Sequence, residues 1–322
     1  MSRLRALFSY RASSVLLVFV GLIVLFAFLS PERRFASPEN LRILLAEGSE
    51  FCIVVLGVGL LMICGEFDLS VGSILVFCSF IFIRLFQAGV NLFLVLVVVL
   101  VLGAAAGFLN GLVTVKGRIP SFITTLGAMM FWRGLTLLLS QGFMAAFDQA
   151  SLPRFTAFMT GTIAGLVPVQ ALWFAGLALA LGVLLHSHRL GNWIYSTGGN
   201  PLAARAMGIP VDRVKTLCFC IVGLLCAFVG VMQVVRVGSF FSQAGDGWEL
   251  KAIAACVVGA TALMGGRGSM AAIFLGALII SIIENALVML RITYFWTYMV
   301  FGLVIIGSVL SRTIVQRGRL RR

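Results

Sequence analysis

Charge is what this sequence has least of. Only 11% of its 322 residues are Asp, Glu, Lys or Arg, against 61% apolar residues. A water-soluble domain of this size needs far more polar surface, so that class is excluded. Lysine is scarcer still. Lys116, Lys215 and Lys251 are preceded by Val115, Val214 and Leu250, so the chain has no Gly-Lys-Ser/Thr loop to cradle nucleotide phosphates. A nucleophile elbow, a paired-aspartate motif and a zinc-protease motif are absent as well, which leaves no catalytic residue to name. The only two histidines, His186 and His188, stand at the end of an apolar run with no carboxylate or thiol cluster beside them, so no metal site is expected. The seven cysteines lie scattered inside apolar runs without metal-like or disulfide-like spacing, and read as small packing residues.

What remains is a series of apolar runs. They occupy Val15 to Leu29, Leu41 to Cys64, Val71 to Phe86, Leu92 to Val115, a stretch from Pro120 to Gln141, and Val167 to Leu185. Four more follow: Thr216 to Val235, one opened by Asp246 to Glu249 and closed at Gly265, Ala271 to Leu290, and Tyr294 to Leu310. The expected fold is an all-α membrane protein of about ten transmembrane helices, forming one domain over residues 1–322. The net charge of +13 is topology rather than nucleic-acid affinity. Fifteen of the 24 Lys and Arg fall in the 1–11 head, the 116–118 turn, the 189–215 loop, Arg267 and the 312–322 tail. The positive-inside rule then places both termini in the cytoplasm. No small-x-small cleavage site follows the first run, which is read as an uncleaved span.

The longest polar interruption is the loop 187–215. Inside it Gly198-Gly199 breaks the chain, Asn200 can cap, Pro201 suits a first helical position, and Leu202 to Met207 make a short helix that Gly208-Ile209-Pro210 stops. The small side chains of Ala203 and Ala204, with Arg205, suit a helix that docks into a groove on another protein. Elsewhere Asp68 and Ser70 form a polar turn before the third span. Asn110, Thr124, Thr125 and the Glu284-Asn285 pair put further polar groups in apolar helices. Asp68 and Ser70 serve equally as a helix cap, and Thr124 and Thr125 equally bond their own helix's carbonyls. Arg133 also lies inside the fifth run. The echo between Asn110-Gly111-Leu112-Val113 and Asn285-Ala286-Leu287-Val288, with acidic turns at opposite ends, suggests an inverted repeat of spans 2–5 against 7–10. Arg33, Arg34 and Arg154 fall in segments placed outside, against the charge trend, and are expected to dock a protein there.

Several stretches together are similar to the membrane permease subunits of ribose-type ABC importers, a binding-protein-dependent transport family. They are Glu66 to Ser73, Asn110-Gly111, Lys116 to Pro120, Phe122 to Gly127, Gly198 to Asn200, Ala203 to Arg205, Gly208-Ile209, Gly245 to Glu249 and Ala252 to Ala255. The resemblance runs from about Leu41 to Ile306. It implies a permease in the bacterial inner membrane, paired with a second permease copy or sister subunit and carrying a monosaccharide such as ribose. It further implies cytoplasmic ATPase subunits, which hold the ATP and Mg, and a periplasmic or lipid-anchored sugar-binding protein. Asn200, Pro201, Ala203, Ala204, Arg205 and Gly208 then correspond to the ATPase-coupling helix. Asp68, Ser70, Asn110, Thr124, Thr125 and Asn285 are the candidates for the substrate path, and an autoinducer-2-like furanose is the alternative substrate. The other class open to such a chain is an ion-coupled secondary transporter or channel, with Asp68 and Glu284 as ion sites. One departure stands out: where the family has Gly-Ile before Asp-Leu-Ser, this chain has Glu66-Phe67.

Overall fold

The computed structural model describes residues 10–292, with Trp296, 299–303 and 306–307 beyond them; of residues 10–14 and 31–33 only the backbone is described. The apolar runs become helices because a chain in hydrocarbon must satisfy its own backbone groups. In order these are α1 (Tyr10–Leu29), a 3-10 turn (Pro31–Ala36), α2 (Pro38–Ile63), α3 (Val71–Gln87), α4 (Leu92–Gly117) and α5 (Ser121–Ser140). A far-end segment follows, with β1 (Ala145–Ala146), α6 (Pro153–Thr160), β2 (Thr162–Ile163) and β3 (Val167–Pro168). Then come α7 (Val169–Ser187), α8 (Arg189–Gly199), α9 (Pro201–Ala206), α10 (Val211–Val237), β4 (Ser239–Phe240), α11 (Trp248–Val258) and α12 (Met270–Met289).

Six of these helices, α2, α4, α5, α7, α10 and α12, are long and apolar enough to cross a membrane, and Val15–Leu29 and α3 are shorter apolar helices. The chain is a helical, multi-pass membrane protein. Sheet among the described residues is limited to two antiparallel pairs, Ala145↔Phe240 with Ala146↔Ser239, and Thr162↔Pro168 with Ile163↔Val167. The tenth expected span, Tyr294 to Leu310, and both termini lie largely outside the described residues. The eighth expected span folds differently. Asp246 to Gly265 contains only the 11-residue helix α11, too short to cross a bilayer of about 30 Å. Gly245, Gly247, Gly265 and Gly266 all take positive φ, so the backbone turns at both ends of α11 instead of continuing as helix.

Two long helices, α2 and α10, form the centre. The second half of α2 and most of α10 are buried. Helix α10 packs on α4, α3 and α2; helix α2 packs on α12, α11 and α7. Small residues set the seams. A methyl group on Gly107 of α4 would lie 2.1 Å from the Phe219 carbonyl oxygen of α10, and one on Gly223 of α10 would lie 2.1 Å from the Gly103 carbonyl oxygen. The equivalent contact on the other side puts Gly276 of α12 against the Ala255 carbonyl and Gly259. At the far end Arg236 closes α10 onto α2. Its Nε and Nη2 donate to the Glu50 carboxylate at 2.8 and 3.1 Å, and Nη1 reaches Glu47 at 2.9 Å. Glu50 is fully buried, and the bidentate fork supplies the partner that a buried carboxylate requires.

Candidate functional site

The central loop folds as two short helices. Asn200 sits in extended backbone and its Oδ1 accepts from the Leu202 and Ala203 amides at 3.1 and 3.0 Å, with Pro201 at the first helical position. Helix α9 therefore starts where the sequence predicts, and Gly208 at φ +79 ends it. Leu202 and Met207 are 78% and 76% exposed, and Ala203 and Arg205 are exposed too. Ala204 is buried in its own chain, so it is not on the presented face. Arg205 forms an ion pair with Asp212 at the start of α10.

The root of this loop is a backbone-to-backbone junction of three turns. Gly198 lies so close to the end of α2 that a methyl group on it would fall 1.9 Å from the Ile63 carbonyl oxygen and 2.6 Å from the Gly266 amide. Gly266 donates its amide to Ile63 at 2.8 Å, and Gly265 rests on Gly65. Tyr195 of α8 adds a hydrogen bond from its hydroxyl to the Gly268 carbonyl at 2.8 Å. Burial pushes the Tyr195 phenol up to about 12. A side chain at Gly198, Gly265 or Gly266 would meet backbone at less than 3 Å and pry the loop from α2 or from the α11–α12 turn.

From that junction the chain runs non-helically through residues 64–70 before α3. Asp68, Ser70 and Asn110 meet there and are all buried. Asp68 Oδ1 accepts from the Ser70 amide at 2.8 Å and the Ser70 hydroxyl at 2.6 Å, while Asn110 Nδ2 donates to Ser70 Oγ at 2.8 Å and to Asp68 Oδ2 at 3.4 Å. This knot ties the break to α4; neither Asp68 nor Ser70 makes the side-chain cap on α3 that the sequence offered, because their polar atoms are taken up by each other and by Asn110. Glu66, the family departure, pairs with Lys215 of α10. Together Glu66, Thr114, Arg118, Arg205, Asp212 and Lys215 line a charged cavity of about 340 Å³ beside α9.

A second break, residues 238–247, precedes α11 and meets the first. Gly72, the second residue of α3, has no room for a side chain, since its methyl group would lie 2.2 Å from the Gly245 carbonyl oxygen. Arg133 of α5 holds this segment: Nη1 donates to the Ser242 and Ala244 carbonyls at 2.6 and 3.2 Å, and Nη2 meets Asp246 Oδ1 at 2.7 Å.

The other expected site residues are dispersed. Thr125 donates to the Ser121 carbonyl at 2.8 Å, the self-capping alternative, and Thr124 Oγ1 is buried without a partner among the described residues. Asn285 exchanges two amide hydrogen bonds with Asn40, at 2.9 and 3.0 Å, near the 3-10 turn and well apart from Asn110. Glu284 pairs with Lys251 at 2.5 Å. Arg34 and Arg154 are exposed at the end opposite α9, in the 3-10 turn and in α6; the side chain of Arg33 lies outside the described residues. The sequence reading passed over the Glu66–Lys215 pair, the Arg133 clamp and the backbone contacts of Gly72 and Gly198, while the close approach that Gly103 and Gly107 allow was legible from their spacing. A lone arginine in an apolar run was the available signal for the clamp.

This arrangement, with apolar spans interrupted by two polar breaks and an exposed helix rooted in the membrane core, defines a membrane transport protein. A family model described as "Branched-chain amino acid transport system / permease component" matches residues 40–309, and the chain belongs to that family. It is 35% identical to the "Ribose import permease protein RbsC" of Escherichia coli (strain K12) over 298 residues, 92% of this chain and 91% of that one. The ribose import permease of Haemophilus influenzae is also 35% identical, over 91% of each chain. The "Autoinducer 2 import system permease protein LsrC" of Yersinia pseudotuberculosis (serotype O:1b) is 32% identical over 94% of this chain and 84% of its own. No solved structure matches the chain.

Proposed function

We propose that this chain is the permease subunit of an ATP-driven importer that moves a monosaccharide, ribose or a similar simple sugar, across the bacterial inner membrane. Ribose permeases match it along nearly their whole length, and an autoinducer-2 permease aligns almost as fully; a furanose of that kind is the second substrate to test. The observation that carries the reading is α9. A six-residue helix and its C-cap present Leu202 and Met207 with nothing among the described residues covering them, and large exposed apolar side chains outside the membrane mark a protein contact. The chain itself lacks a Walker A loop, so ATP and Mg belong to a cytoplasmic ATPase that α9 contacts. The end carrying α9 is cytoplasmic by its basic residues, as are the termini. The opposite end, with Arg34 and Arg154, faces the sugar-binding protein, and a second permease, identical or related, completes the membrane unit.

The packing favours an inverted repeat. Helix α4 lies on α10 as α12 lies on α2, α3 on α10 as α11 on α2, and a non-helical break precedes both α3 and α11. The two four-span halves then share one domain, and their breaks cross at Gly72 and Gly245 near mid-membrane, where transporters of this design place the substrate.

The test is ATP-driven [14C]ribose uptake into proteoliposomes holding the permease, its ATPase and its binding protein. Leu202→Arg with Met207→Arg is expected to lose co-purification of the ATPase and at least tenfold of the uptake, since burying either charge costs several kcal/mol. Uptake that persists without ATP and collapses with the proton gradient refutes the reading.

A further inference from the structure

Arg133 sits seven residues before the end of α5, roughly 10 Å inside an apolar spanning helix at the α-helical rise. Its partner Asp246 lies at the same depth, yet the Asp246 side chain is 55% exposed. Glu249, in the first turn of α11, lies within electrostatic reach of both. Arg133 is spent on two carbonyls and Asp246 Oδ1; among the described residues Glu249 has no ion-pair partner. Charged groups at membrane depth are not left facing lipid, so this face meets water or protein. Trp132 and Trp248 flank the cluster in sequence, both partly exposed. Trp132 is packed against Phe77 with ring centroids 4.8 Å apart, and Trp248 is set edge-on to Phe51.

We propose that Arg133, Asp246 and Glu249 form a water-lined wall of the translocation path that takes neutral polyhydroxylated ligands. This deepens the reading of the chain as a sugar permease and rests on it. Carboxylate oxygens are acceptors only, so they suit the O–H donors of vicinal hydroxyls, and such charge-assisted bonds outrank those of amides. The guanidinium offsets one of the two negative charges and fixes the Asp246 carboxylate and the 242–246 backbone. Aromatic neighbours supply apolar faces for the sugar's C–H edges. Because the wall stands on the second break, against the first at Gly72, movement of either break changes what the carboxylates reach.

Glu249→Gln preserves shape and removes the charge. In proteoliposomes with the partner ATPase and binding protein, this variant is expected to keep ribose-stimulated ATP hydrolysis while ribose moved per ATP falls about tenfold, the loss of one charge-assisted bond. A wild-type ratio overturns the proposal. A second measurement does not depend on transport. Gln243 is exposed beside the cluster, and six of the seven native cysteines are buried, so Gln243→Cys in a Cys220→Ser background offers one reactive thiol. A charged, membrane-impermeant thiosulfonate is expected to label it in the assembled complex, and ribose during turnover to slow labelling severalfold. Absence of labelling both with and without ATP overturns the proposal, because the face is then covered by lipid or by the second permease. Absence of ATP-driven uptake of both ribose and the autoinducer-2 furanose in the wild type refutes the sugar reading instead, and the labelling still decides whether the cluster faces water.

Discussion

Replacing Gly107 with alanine is the sharpest test of the packing. The added carbon would lie 2.1 Å from the Phe219 carbonyl oxygen, 2.8 Å from its carbonyl carbon and 3.1 Å from Cys220 Cα. Carbon atoms rest at about 3.5 Å or more, and all three neighbours are backbone, so no side chain can rotate out of the way. Helices α4 and α10 must part by about 1 Å, which also loosens Gly103 and Gly111 on the same seam. Overpacking of this kind costs about 1–3 kcal/mol, against up to about 1 kcal/mol returned by the better helix propensity of alanine. With the full alanine gain returned, the net loss of up to about 2 kcal/mol should lower Tm by up to roughly 3 °C for a chain of 322 residues. Gly176 in α7 is the control, because nothing lies within 4 Å of its added carbon, so Gly176→Ala should melt at or slightly above the wild type. The seven free cysteines provide the assay, since a thiol-reactive maleimide dye reports melting as the six buried thiols become reachable. If Gly107→Ala melts as high as Gly176→Ala, the α4–α10 seam does not depend on backbone contact and the argument is wrong.

Glu66→Ala should leave Lys215 without its carboxylate in a half-buried cavity and cost about 1.5–3 kcal/mol in thermal stability, with the exchange Glu66→Lys plus Lys215→Glu recovering part of it; equal melting of Glu66→Ala and wild type would discard the pair as a structural tie. Tyr195 binds its proton more tightly folded, near 12, than unfolded, near 10, so the stability it contributes is complete below about pH 10 and is lost as pH rises toward 12. Tyr195→Phe should flatten that decline in tryptophan-monitored melting, and an unchanged slope counts against the buried phenol. Reversing Arg34 and Arg154 to glutamate should weaken capture of the sugar-binding protein and reduce the salt dependence of its binding, measured by surface plasmon resonance at several ionic strengths. Unchanged affinity and salt slope would remove these arginines from the docking face.

Most of the described spans were legible because hydrocarbon leaves a chain little choice, and apart from the eighth the apolar runs within the described residues map onto helices within a few residues. The coupling-loop helix was legible for a local reason: Asn200, Pro201 and Gly208 each carry a conformational preference that acts over three or four residues. The eighth span was misread because periodicity cannot tell a short apolar helix entered through a bent segment from a full crossing. Its glycines held the clue, since four of them adopt positive φ around α11. Ala204 illustrates a further limit: two adjacent alanines look alike in sequence, yet one is buried and its neighbour exposed. Asn110 and Asn285 share a sequence echo and have different partners. Only three-dimensional proximity assigns one to the Asp68 knot and the other to Asn40, because the contacts that decide span 42 and 245 residues of sequence.

The same distances explain how events at α9 can reach the middle of the membrane. Gly198 touches the end of α2 and the α11–α12 turn at once, so a displacement of the loop moves both. Six residues after Ile63 the chain arrives at Leu69, between Asp68 and Ser70, which are bonded to Asn110 of α4, and three residues later at Gly72 it presses on Gly245. Gly245 in turn stands between Ala244 and Asp246, both held by Arg133. Each link is either backbone against backbone or a side chain with its partners met, and neither kind absorbs motion by changing rotamer. A push of 1 Å at the loop therefore has few soft places to dissipate before it reaches Arg133, which sets where the Asp246 carboxylate stands. A soft link would serve a different purpose, as a hinge. In the charged cavity beside α9 compliance resides in the solvent-exposed Arg205–Asp212 pair rather than in the largely buried Glu66–Lys215 pair.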